Sequence, residues 1–434
     1  ELVIEEFLVG EASLIGASSC YDFPHLERAG KKVLLCEGTA CLVSGRQASL
    51  RAALSHHFGE AEMGHVTCLG HCHRNDAYLV DQATWSREDL ALLGQPGATP
   101  PGPKHVPTGT LAAPPILLAP IPDIRAYYAP LLGLVGRPGP ALEAIRASRL
   151  RGRGGAGFPF HLKVEAARSA PGDQKYVVCN ADEGDPGAYS DKWLLEERPH
   201  AVLAGMMAIG ALIGADTGVL YIRGEYPESL AAIRAAIGEW DALGLPGDDQ
   251  GGALPSFRFQ VIAGSGAYVC GEETALLNSI EGLRPEVRVR PPFPTTQGLF
   301  GKPTLLSNVE TLANLPYILT KGGGAYAAQG LASCTGTKLV SLDGGFNRPG
   351  VYEVPMGTPL SRVLDDLGGG TRYPVKAFQI GGPLGGLVPI SQVDSLTLDF
   401  EAFARAGFML GHASIIAIPT SLPIAHLLSH LFAF

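Results

Sequence analysis

Residues 151–159 read Arg-Gly-Arg-Gly-Gly-Ala-Gly-Phe-Pro, a glycine-rich loop directly before a segment with helical spacing. Glycine residues allow backbone N–H groups to approach an anion closely, and the N-terminus of the following helix adds a favourable partial positive charge. The stretch therefore predicts a phosphate-binding loop at 151–157. Glycine-rich turns also occur without a ligand, so a tight structural loop is the alternative that this stretch leaves open.

The segments around this loop alternate between helix and strand patterns. Helices are expected over Ala141–Ser148, near 200–214 and over Pro227–Ile237, and strands over Tyr176–Cys179 and Val219–Ile222. Alternation of this kind predicts an α/β fold in which helices cover a mainly parallel sheet. Ligands of such folds bind beyond the carboxyl ends of the strands, so polar residues that follow a strand are the first candidates for a site.

Four further segments are candidates for the site. Asn180-Ala-Asp-Glu-Gly-Asp-Pro-Gly187 follows the strand at 176–179, although a loop with helix-capping acids would give the same pattern. The other three are Gly264-Ser-Gly-Ala-Tyr-Val-Cys-Gly-Glu-Glu-Thr274, Arg290-Pro-Pro-Phe-Pro294 and Leu306-Ser-Asn-Val-Glu-Thr-Leu-Ala-Asn314.

Two cysteine pairs, Cys36-x4-Cys41 and Cys68-x3-Cys72, each follow a short apolar strand pattern. Four thiolates at strand ends match the ligation of a [2Fe–2S] cluster, and the four-residue gap differs from the usual C-x2-C of zinc sites. A structural zinc ion and a set of small buried thiols are the alternatives. The other cysteines, Cys20, Cys179, Cys270 and Cys334, have no cluster spacing and are interpreted as small buried side chains.

Bulk composition excludes several classes of function. The 33 Lys and Arg residues against 42 Asp and Glu give a net charge of −9, which argues against a nucleic-acid partner. The longest apolar run, Ala201 to Ala215, is shorter than the roughly 20 residues that cross a bilayer, so direct membrane insertion is not expected. No basic segment with an apolar core lies near Glu1, and eight cysteines suit a reducing compartment; both favour the cytoplasm.

The chain is expected to contain several folded units. A small α/β unit is predicted over 1–94, a Pro-rich linker over 95–136 with its core at Gln95–Lys104, and the main α/β unit over 137–330. From Thr335 short strands and turns predict a small α+β unit over 331–418. Residues 419–434 contain the first turns of another helix.

These motifs resemble a known family. Cys36-Glu-Gly-Thr-Ala-Cys41 and Thr67-Cys-Leu-Gly-His-Cys72 look like the thioredoxin-like [2Fe–2S] domain that accompanies the flavoprotein subunit of complex I. The five segments from 151 to 314 resemble the NADH-binding FMN flavoprotein subunit of complex I, most closely the fused diaphorase subunit of soluble NAD-reducing hydrogenases. The resemblance implies a Rossmann-like FMN domain at 137–330, a ubiquitin-like (β-grasp) domain at 331–418, and the start of a C-terminal helical domain at 419–434.

The resemblance also assigns residues. Those implied around FMN are Gly154, Lys163, Asn180, Asp182, Glu183, Tyr268, Gly271, Glu272, Ser307, Asn308 and Thr311. Those implied on the NADH side are Phe158, Asp185, Glu273, Arg290 and Phe293. The implied cluster ligands are Cys36, Cys41, Cys68 and Cys72, and the acids are expected near sugar and ring atoms rather than near phosphates.

The implied function is that of an NADH:acceptor oxidoreductase (diaphorase) subunit. Hydride would pass between NAD(H) and FMN, and single electrons would pass to iron–sulfur clusters, with no side chain acting as acid, base or nucleophile. Expected partners are an iron–sulfur subunit and a hydrogenase, with formate dehydrogenase or complex I modules as alternatives. A non-catalytic electron-wiring subunit is the competing hypothesis.

Some positions depart from the family pattern. Phe160-His161 stands where the family commonly has Thr-Gly, Val164 stands where an aromatic residue is usual, and Asp185 replaces a Glu of the complex I form. A [4Fe–4S] cluster is expected in full-length members of the family, but its cysteine motif is not among these residues.

Overall fold

The computed structural model describes residues 11–28, 30–93, 95, 105–135, 137–244 and 257–433. Within those ranges no helix combines the length and the apolar character needed to cross a bilayer. The apolar run at 201–215 belongs to a helix over Pro199–Ile213 that is buried along nearly its whole length, as predicted. The predicted linker residues 96–104 lie outside the described residues.

The strands of the described residues fall into three sheets. They are β1 (Val33–Cys36), β2 (Met63–Val66), β3 (Ala77–Val80), β4 (Ala83–Ser86), β5 (Thr108–Thr110), β6 (Tyr176–Ala181), β7 (Thr217–Ile222), β8 (Arg258–Ala263), β9 (Thr304–Asn308), β10 (Thr337–Leu342), β11 (Gly350–Pro355), β12 (Val375–Ile380), β13 (Leu387–Pro389) and β14 (Ser414–Pro419). Apart from β5, the strands of each sheet are close together in the chain.

Helices connect and cover these sheets. They are α1 (Glu11–Ser18), α2 (Thr39–Ser44), α3 (Gln47–Leu54), α4 (Ile124–Val135), α5 (Pro138–Ser148), α6 (Phe160–Ser169), α7 (Ser190–Glu197), α8 (Pro199–Ile213), α9 (Pro227–Ala242), α10 (Glu273–Ile280), α11 (Pro294–Gln297), α12 (Val309–Ala313), α13 (Leu315–Lys321), α14 (Gly323–Ala327), α15 (Leu360–Arg362), α16 (Phe400–Arg405) and α17 (Ile424–Ala433). Short 3-10 turns and one wider π turn at Val363–Leu367 complete the secondary structure.

The first sheet has the order β2-β1-β3-β4, with β1 parallel to β2 and the other pairs antiparallel. All residues of β1 and β3 are buried, which explains their continuous apolar sequences. Strand β1 ends at Cys36, β2 ends shortly before Cys68, and α2 carries Cys41. The predicted strands before the two cysteine pairs are therefore confirmed.

The second sheet has the order β8-β7-β6-β9 and is entirely parallel within the described residues. Helix α8 covers one face, and its glycine at 205 packs against the backbone of Leu312 in α12. The prediction of a parallel sheet covered by helices is confirmed. Strand β6 lies between β7 and β9, and its register places Asn180 beside Asn308.

The third sheet has the order β13-β12-β14-β10-β11-β5. Its core is separate from that of the parallel sheet and contains Val340, Phe346, Phe378 and Phe403 among its buried residues. In this unit the short helix α15 continues directly into the π turn at Val363–Leu367. This α+β unit follows the parallel-sheet unit, as the change of pattern at Thr335 predicts.

The predicted linker over 95–136 is wrong from residue 105 onward. Strand β5 pairs in parallel with β11, and α4 packs against α8. The buried carboxylate of Glu353 accepts hydrogen bonds from the backbone N–H groups of residues 116–118 at 2.8–3.1 Å. The proline-rich composition concealed this order because the partners that hold the segment, β11, α8 and Glu353, are distant in sequence.

The N-terminal segment also departs from a self-contained first unit. The backbone N–H groups of Asp22 and Phe23 donate to the carbonyl oxygens of Gly266 and Ser265 at 2.6 and 3.0 Å. Residues 22–23 therefore pack against the loop that follows β8 in the parallel-sheet unit.

Replacing Glu353 with Gln tests how strongly the segment at 116–118 is held. The side chain keeps its volume, but one acceptor oxygen becomes an amide that faces backbone N–H donors, so we expect a loss of about 2–4 kcal/mol in the free energy of unfolding. Chemical denaturation measures the loss, and hydrogen exchange at 116–118 should accelerate. The exposed Glu143→Gln is the control; equal effects of both variants would contradict the assignment.

Candidate functional site

A cleft lies at the carboxyl ends of β6 and β9. It consists of two adjoining cavities, a larger one of about 910 Å³ and a smaller one of about 620 Å³. Gly154, Asn180, Gly271 and Asn308 contribute to the walls of both. The site therefore stands where the strand order and the general rule for α/β sheets predict it.

The glycine-rich loop presents backbone to both cavities. A Cβ atom at Gly154 would lie 3.0 Å from the Cβ of Asn308, and Gly155 has a φ of 126°, which only glycine adopts readily. Larger side chains at these two positions would strain the loop or enter the cleft. The loop thus has the close backbone approach that an anion site requires.

Most residues predicted around FMN line this cleft. Those in the walls of the cavities are Gly154, Lys163, Asn180, Asp182, Tyr268, Gly271, Glu272, Ser307, Asn308 and Thr311. The Asn180 amide donates to the carbonyl oxygen of Gly271 at 2.8 Å, and the Glu272 carboxylate accepts from the N–H groups of Thr274 and Ala275 at the start of α10. These contacts fix the two sides of the cleft relative to each other.

The structure does not bring Glu183 into the cavity walls. Its buried carboxylate accepts from the Ser190 hydroxyl at 3.2 Å and from the backbone N–H groups of Asp191 and Lys192 at 3.1 and 3.0 Å. Glu183 therefore satisfies the first N–H groups of α7 behind the cleft. The alternative of a helix-capping acid is correct for this one residue of the 180–187 segment.

Four residues predicted on the NADH side meet in the smaller cavity. Phe158 and Phe293 are 50% and 57% exposed, so their rings are available to a ligand. Glu273 lies between two cations, 2.8 Å from Lys163 and 2.9 Å from Arg290. Glu272, which also lines this cavity, lies 3.4 Å from Arg290, so two cations and two carboxylates balance one another there.

The fifth, Asp185, lies in the larger cavity instead. Its carboxylate accepts a hydrogen bond of 2.6 Å from the hydroxyl of Tyr268. Nearby, burial raises the pKa of Asp182 to about 8, although Arg223 acts in the opposite direction. Burial therefore favours the neutral form of Asp182, while the Tyr268 phenol holds Asp185.

Asp191 and His412 are among the residues of the larger cavity that sequence reasoning missed. The His412 ring nitrogens lie 3.6 Å from Asp185 and 3.4 Å from Asp191, and the Asn308 amide donates to Asp191 at 2.6 Å. Burial alone would lower the pKa of His412, but the two carboxylates outweigh it and raise the pKa well above its usual value. His412 precedes β14 of the α+β unit, so its spacing in the sequence gives no signal for this contact.

The four cysteines of the two pairs are all free and buried. The sulfurs of Cys68 and Cys72 are 3.6 Å apart, and Cys36 is near enough to Cys41 and Cys68 that their sulfurs, together with burial, raise its pKa. The prediction that the pairs come together is consistent with this chain of sulfur contacts. Within the described residues no three His, Cys, Asp or Glu side chains converge on one metal ion, and a two-iron centre instead divides its thiolates between two irons.

Backbone donors from two units reach these sulfurs. The N–H of Gly70 lies 3.4 Å from the sulfur of Cys68, and the N–H of Gly187 lies 3.3 Å from that of Cys72. Gly187 has a φ of 94°, and a Cβ there would lie 2.7 Å from the side chain of Ile416 in β14. The loop 180–187 therefore begins at the cleft and ends at the four-thiol centre.

Comparison with known proteins identifies the family. The profile of the Nuo51 FMN-binding domain matches residues 145–317. An NADH-quinone oxidoreductase component of Rhizobium meliloti (strain 1021) is 38% identical over 299 residues, which cover 68% of this chain and 71% of that protein. This chain belongs to the Nuo51 FMN-binding family.

Two further comparisons extend the match beyond the Nuo51 domain itself. NAD-reducing hydrogenase HoxS subunit alpha of Cupriavidus necator (strain ATCC 17699 / DSM 428 / KCTC 22496 / NCIMB 10442 / H16 / Stanier 337) is 34% identical over 423 residues, or 90% of this chain and 69% of that protein. A chain in the crystal structure of an NAD+-reducing [NiFe]-hydrogenase in the air-oxidized state superposes with a TM-score of 0.84 at 27% identity. That likeness covers 99% of this Nuo51 chain and 76% of the other. The family resemblance predicted from the motifs is confirmed.

The ion pairs of His412 predict a pH-dependent contribution to stability. Asp185, Asp191, Asn308 and, more remotely, Glu183 surround the ring. Because its pKa is raised in the folded state, the stabilisation is complete below the pKa of the unfolded chain and is lost as pH rises through the higher folded value. His412→Gln should therefore cost roughly 3 kcal/mol at mildly acidic pH and much less at strongly alkaline pH.

Denaturation midpoints of the wild type and the variant across that pH range check this expectation. The exposed His56 provides a control, His56→Gln. A cost for His412→Gln that grows with rising pH would contradict the sign of the effect.

Proposed function

We propose that this chain is the NADH-oxidising, FMN-binding electron-transfer subunit of a multi-subunit redox complex of the NAD-reducing hydrogenase type. The observation that carries the proposal is the loop 180–187. Asn180, Asp182 and Asp185 line the cleft, while the Gly187 N–H contacts the sulfur of Cys72. One short loop contacts both a nucleotide-sized cleft and a buried four-thiol centre. The two sites therefore lie next to each other, and electron transfer between two cofactors requires such proximity.

The cleft fits FMN on several grounds. Its cavities have the size of small-molecule sites, which measure about 300–1,000 Å³. Gly184 lies so close to Tyr268 that a Cβ would meet the ring at 2.6 Å, so the wall of the larger cavity depends on glycine. Amide and hydroxyl groups of Asn180, Ser307 and Asn308 supply the hydrogen-bonding atoms that a ribityl chain and a ring system need.

When bound, FMN supplies the conversion between two-electron hydride transfer and one-electron transfer. The residues of the chain bind FMN and the nicotinamide nucleotide and orient them relative to each other. We assign the glycine-rich loop and the amides at the ends of β6 and β9 to FMN, with Asp182 facing the cofactor in its neutral form. The acids are assigned to sugar and ring atoms rather than to phosphates, because a carboxylate beside a phosphate would be repelled.

The smaller cavity is assigned to the nicotinamide dinucleotide. Phe158 and Phe293 offer exposed aromatic faces, on which planar rings stack. At the same cavity Lys163 and Arg290 are paired with Glu273 and Glu272, and these carboxylates can accept hydrogen bonds from ribose hydroxyls. Nicotinamide would then lie beside the boundary that the two cavities share, next to FMN.

The four-thiol centre is assigned to a [2Fe–2S] cluster bound by Cys36, Cys41, Cys68 and Cys72. The N–H donors of Gly70 and Gly187 support this assignment, since hydrogen bonds to sulfur stabilise the negative charge of thiolate ligands. Such a centre needs a compartment that keeps thiols reduced, so we place the chain in the cytoplasm. Full-length relatives are expected to carry a [4Fe–4S] cluster as well.

Partners and domains follow the relatives. One relative belongs to an NADH-quinone oxidoreductase and another to an NAD-reducing hydrogenase, so we propose an iron–sulfur subunit and a hydrogenase module as partners. Complex I and NAD-dependent formate dehydrogenase are the alternative assemblies. We also propose a thioredoxin-like unit at 1–94, a Rossmann-like unit at 137–330, a ubiquitin-like unit at 331–418 and the start of a helical unit at 419–434.

A non-catalytic electron-wiring subunit is the second candidate, and it depends on the altered residues Phe160-His161. Phe160 is 2% exposed and packs in the main core with Val164. The departure from the family pattern therefore points into the protein and leaves the smaller cavity open. This favours the catalytic candidate.

The purified chain is expected to be yellow, with a flavin absorbance band that bleaches on anaerobic addition of NADH. Iron and sulfide analysis should give a [2Fe–2S] cluster, and Cys72→Ser should remove it while the flavin band remains. A protein without flavin that is inert to NADH would instead support the wiring candidate.

Phe293→Ala tests the assignment of the smaller cavity. Loss of stacking on a ring is worth about 1–3 kcal/mol, so the KM for NADH should rise about tenfold while the FMN content stays unchanged. Phe300→Ala is the matched control, since Phe300 is also 57% exposed but lies against Tyr176 outside both cavities. Loss of FMN in Phe293→Ala, or an equal rise in KM in both variants, would refute the assignment.

A further inference from the structure

Arg223 lies between the cleft and the four-thiol centre. Its Nη1 donates to the carbonyl oxygen of Glu183 at 2.7 Å, and its Nη2 donates to the carbonyl oxygen of Cys68 at 3.2 Å. Its Nε lies 3.7 Å from the carboxylate of Asp182, which faces the larger cavity. One guanidinium thus contacts a wall residue of the cleft and the backbone of a predicted cluster ligand.

The buried position of the Arg223 guanidinium lets its positive charge act strongly on neighbouring groups. The Arg223 side chain is 4% exposed, so solvent screens it little. Glu225 forms a 3.0 Å ion pair with it, and the ring of Tyr226 lies 5.0 Å below the guanidinium carbon. The Glu225 side chain is also only 6% exposed, so its negative charge opposes that of Arg223 with little screening by solvent.

The charge bears directly on electron transfer. Each electron that enters a thiolate-bound cluster adds one unit of negative charge there, and no bond to the protein forms or breaks. A buried cation nearby stabilises the reduced state more than the oxidised state, and hydrogen bonding and net charge are among the factors that set cluster potentials. An anion at the same distance has the opposite effect.

We propose that Arg223 is a positioning residue that raises the reduction potential of the cluster at Cys36, Cys41, Cys68 and Cys72, and that Glu225 moderates this effect. The inference rests on the proposed function. By raising that potential, Arg223 favours the passage of an electron from the cleft to the cluster. It also holds the loop 180–187 through Glu183, so the distance between the two sites is set by the same residue.

A purely structural role would predict something different. If Arg223 only satisfied the carbonyl oxygens of Glu183 and Cys68, loss of its charge would loosen the loop, and Glu225 would matter only as its partner. Arg223→Gln and Glu225→Gln would then change the potential in the same direction or not at all. The electrostatic role predicts changes of opposite sign.

The experiment is a redox titration of the cluster, followed by electron paramagnetic resonance, in the purified full chain. Arg223→Gln should shift the midpoint potential to a more negative value, and Glu225→Gln should shift it to a more positive one. Arg223→Lys, which keeps the charge, should restore most of the wild-type potential. Arg198→Gln is the control, because Arg198 also donates to backbone carbonyls, of Leu118 and Ala119, but contacts neither site.

Opposite shifts with rescue by lysine establish the proposal. Equal, absent or same-direction shifts overturn it, and if Arg223→Gln does not fold, an unchanged potential in Glu225→Gln overturns it by itself. If the wild-type chain binds FMN and the cluster but the variants show no shift in potential, only this inference is refuted. A wild-type chain that has neither group refutes the proposed function together with it.

Discussion

The position of the carboxyl end of β6 is the constraint on which the rest of the molecule depends. Because β6 is hydrogen-bonded to β7 on one side and to β9 on the other, its last residues cannot shift without breaking two ladders. Asn180 is therefore fixed beside Asn308, and the loop 180–187 starts from a rigid point. The cleft and the thiol centre lie on separate units, so the distance between them stays constant only if the loop 180–187 does not move.

Paired charge is the second common feature of this region. Several acids lie close together around the loop: Asp182, Glu183, Asp185, Asp191 and Glu225. Arg223 and His412 each lie between two of them, and the N–H groups at the start of α7 hold Glu183. Part of this negative charge is therefore offset inside the protein, and burial favours the neutral form of Asp182.

Local patterns predicted much of the fold because the relevant signals lie within a few residues of each other. The apolar runs of β1 and β6, the long helix at 199–213 and the change of pattern after Thr335 correspond to elements of the structure. The motif segments likewise supplied most residues of the cleft. The resemblance, rather than the residues alone, gave their assignment to particular cofactors.

Most of the failures arise because the deciding contact is distant in sequence. The segment 105–135 was predicted to be a linker because its anchor, Glu353, lies in another unit. Glu183 sits within a motif of cleft residues, yet the direction of its side chain depends on where α7 begins. His412 and Arg223 carry no motif of their own, and their importance follows from neighbours that only the folded chain brings close.

Gly187 has a consequence for how such proteins can be recombined. Gly187 belongs to the parallel-sheet unit, and its N–H donates to the sulfur of Cys72 in the first unit. Because it has no side chain, it also leaves room for Ile416 of the α+β unit. A chimera that joins the middle unit to a foreign first unit at the proline-rich segment would leave this junction mismatched. Modular exchange between relatives should therefore succeed only when the residues that surround Gly187 are transplanted as a set.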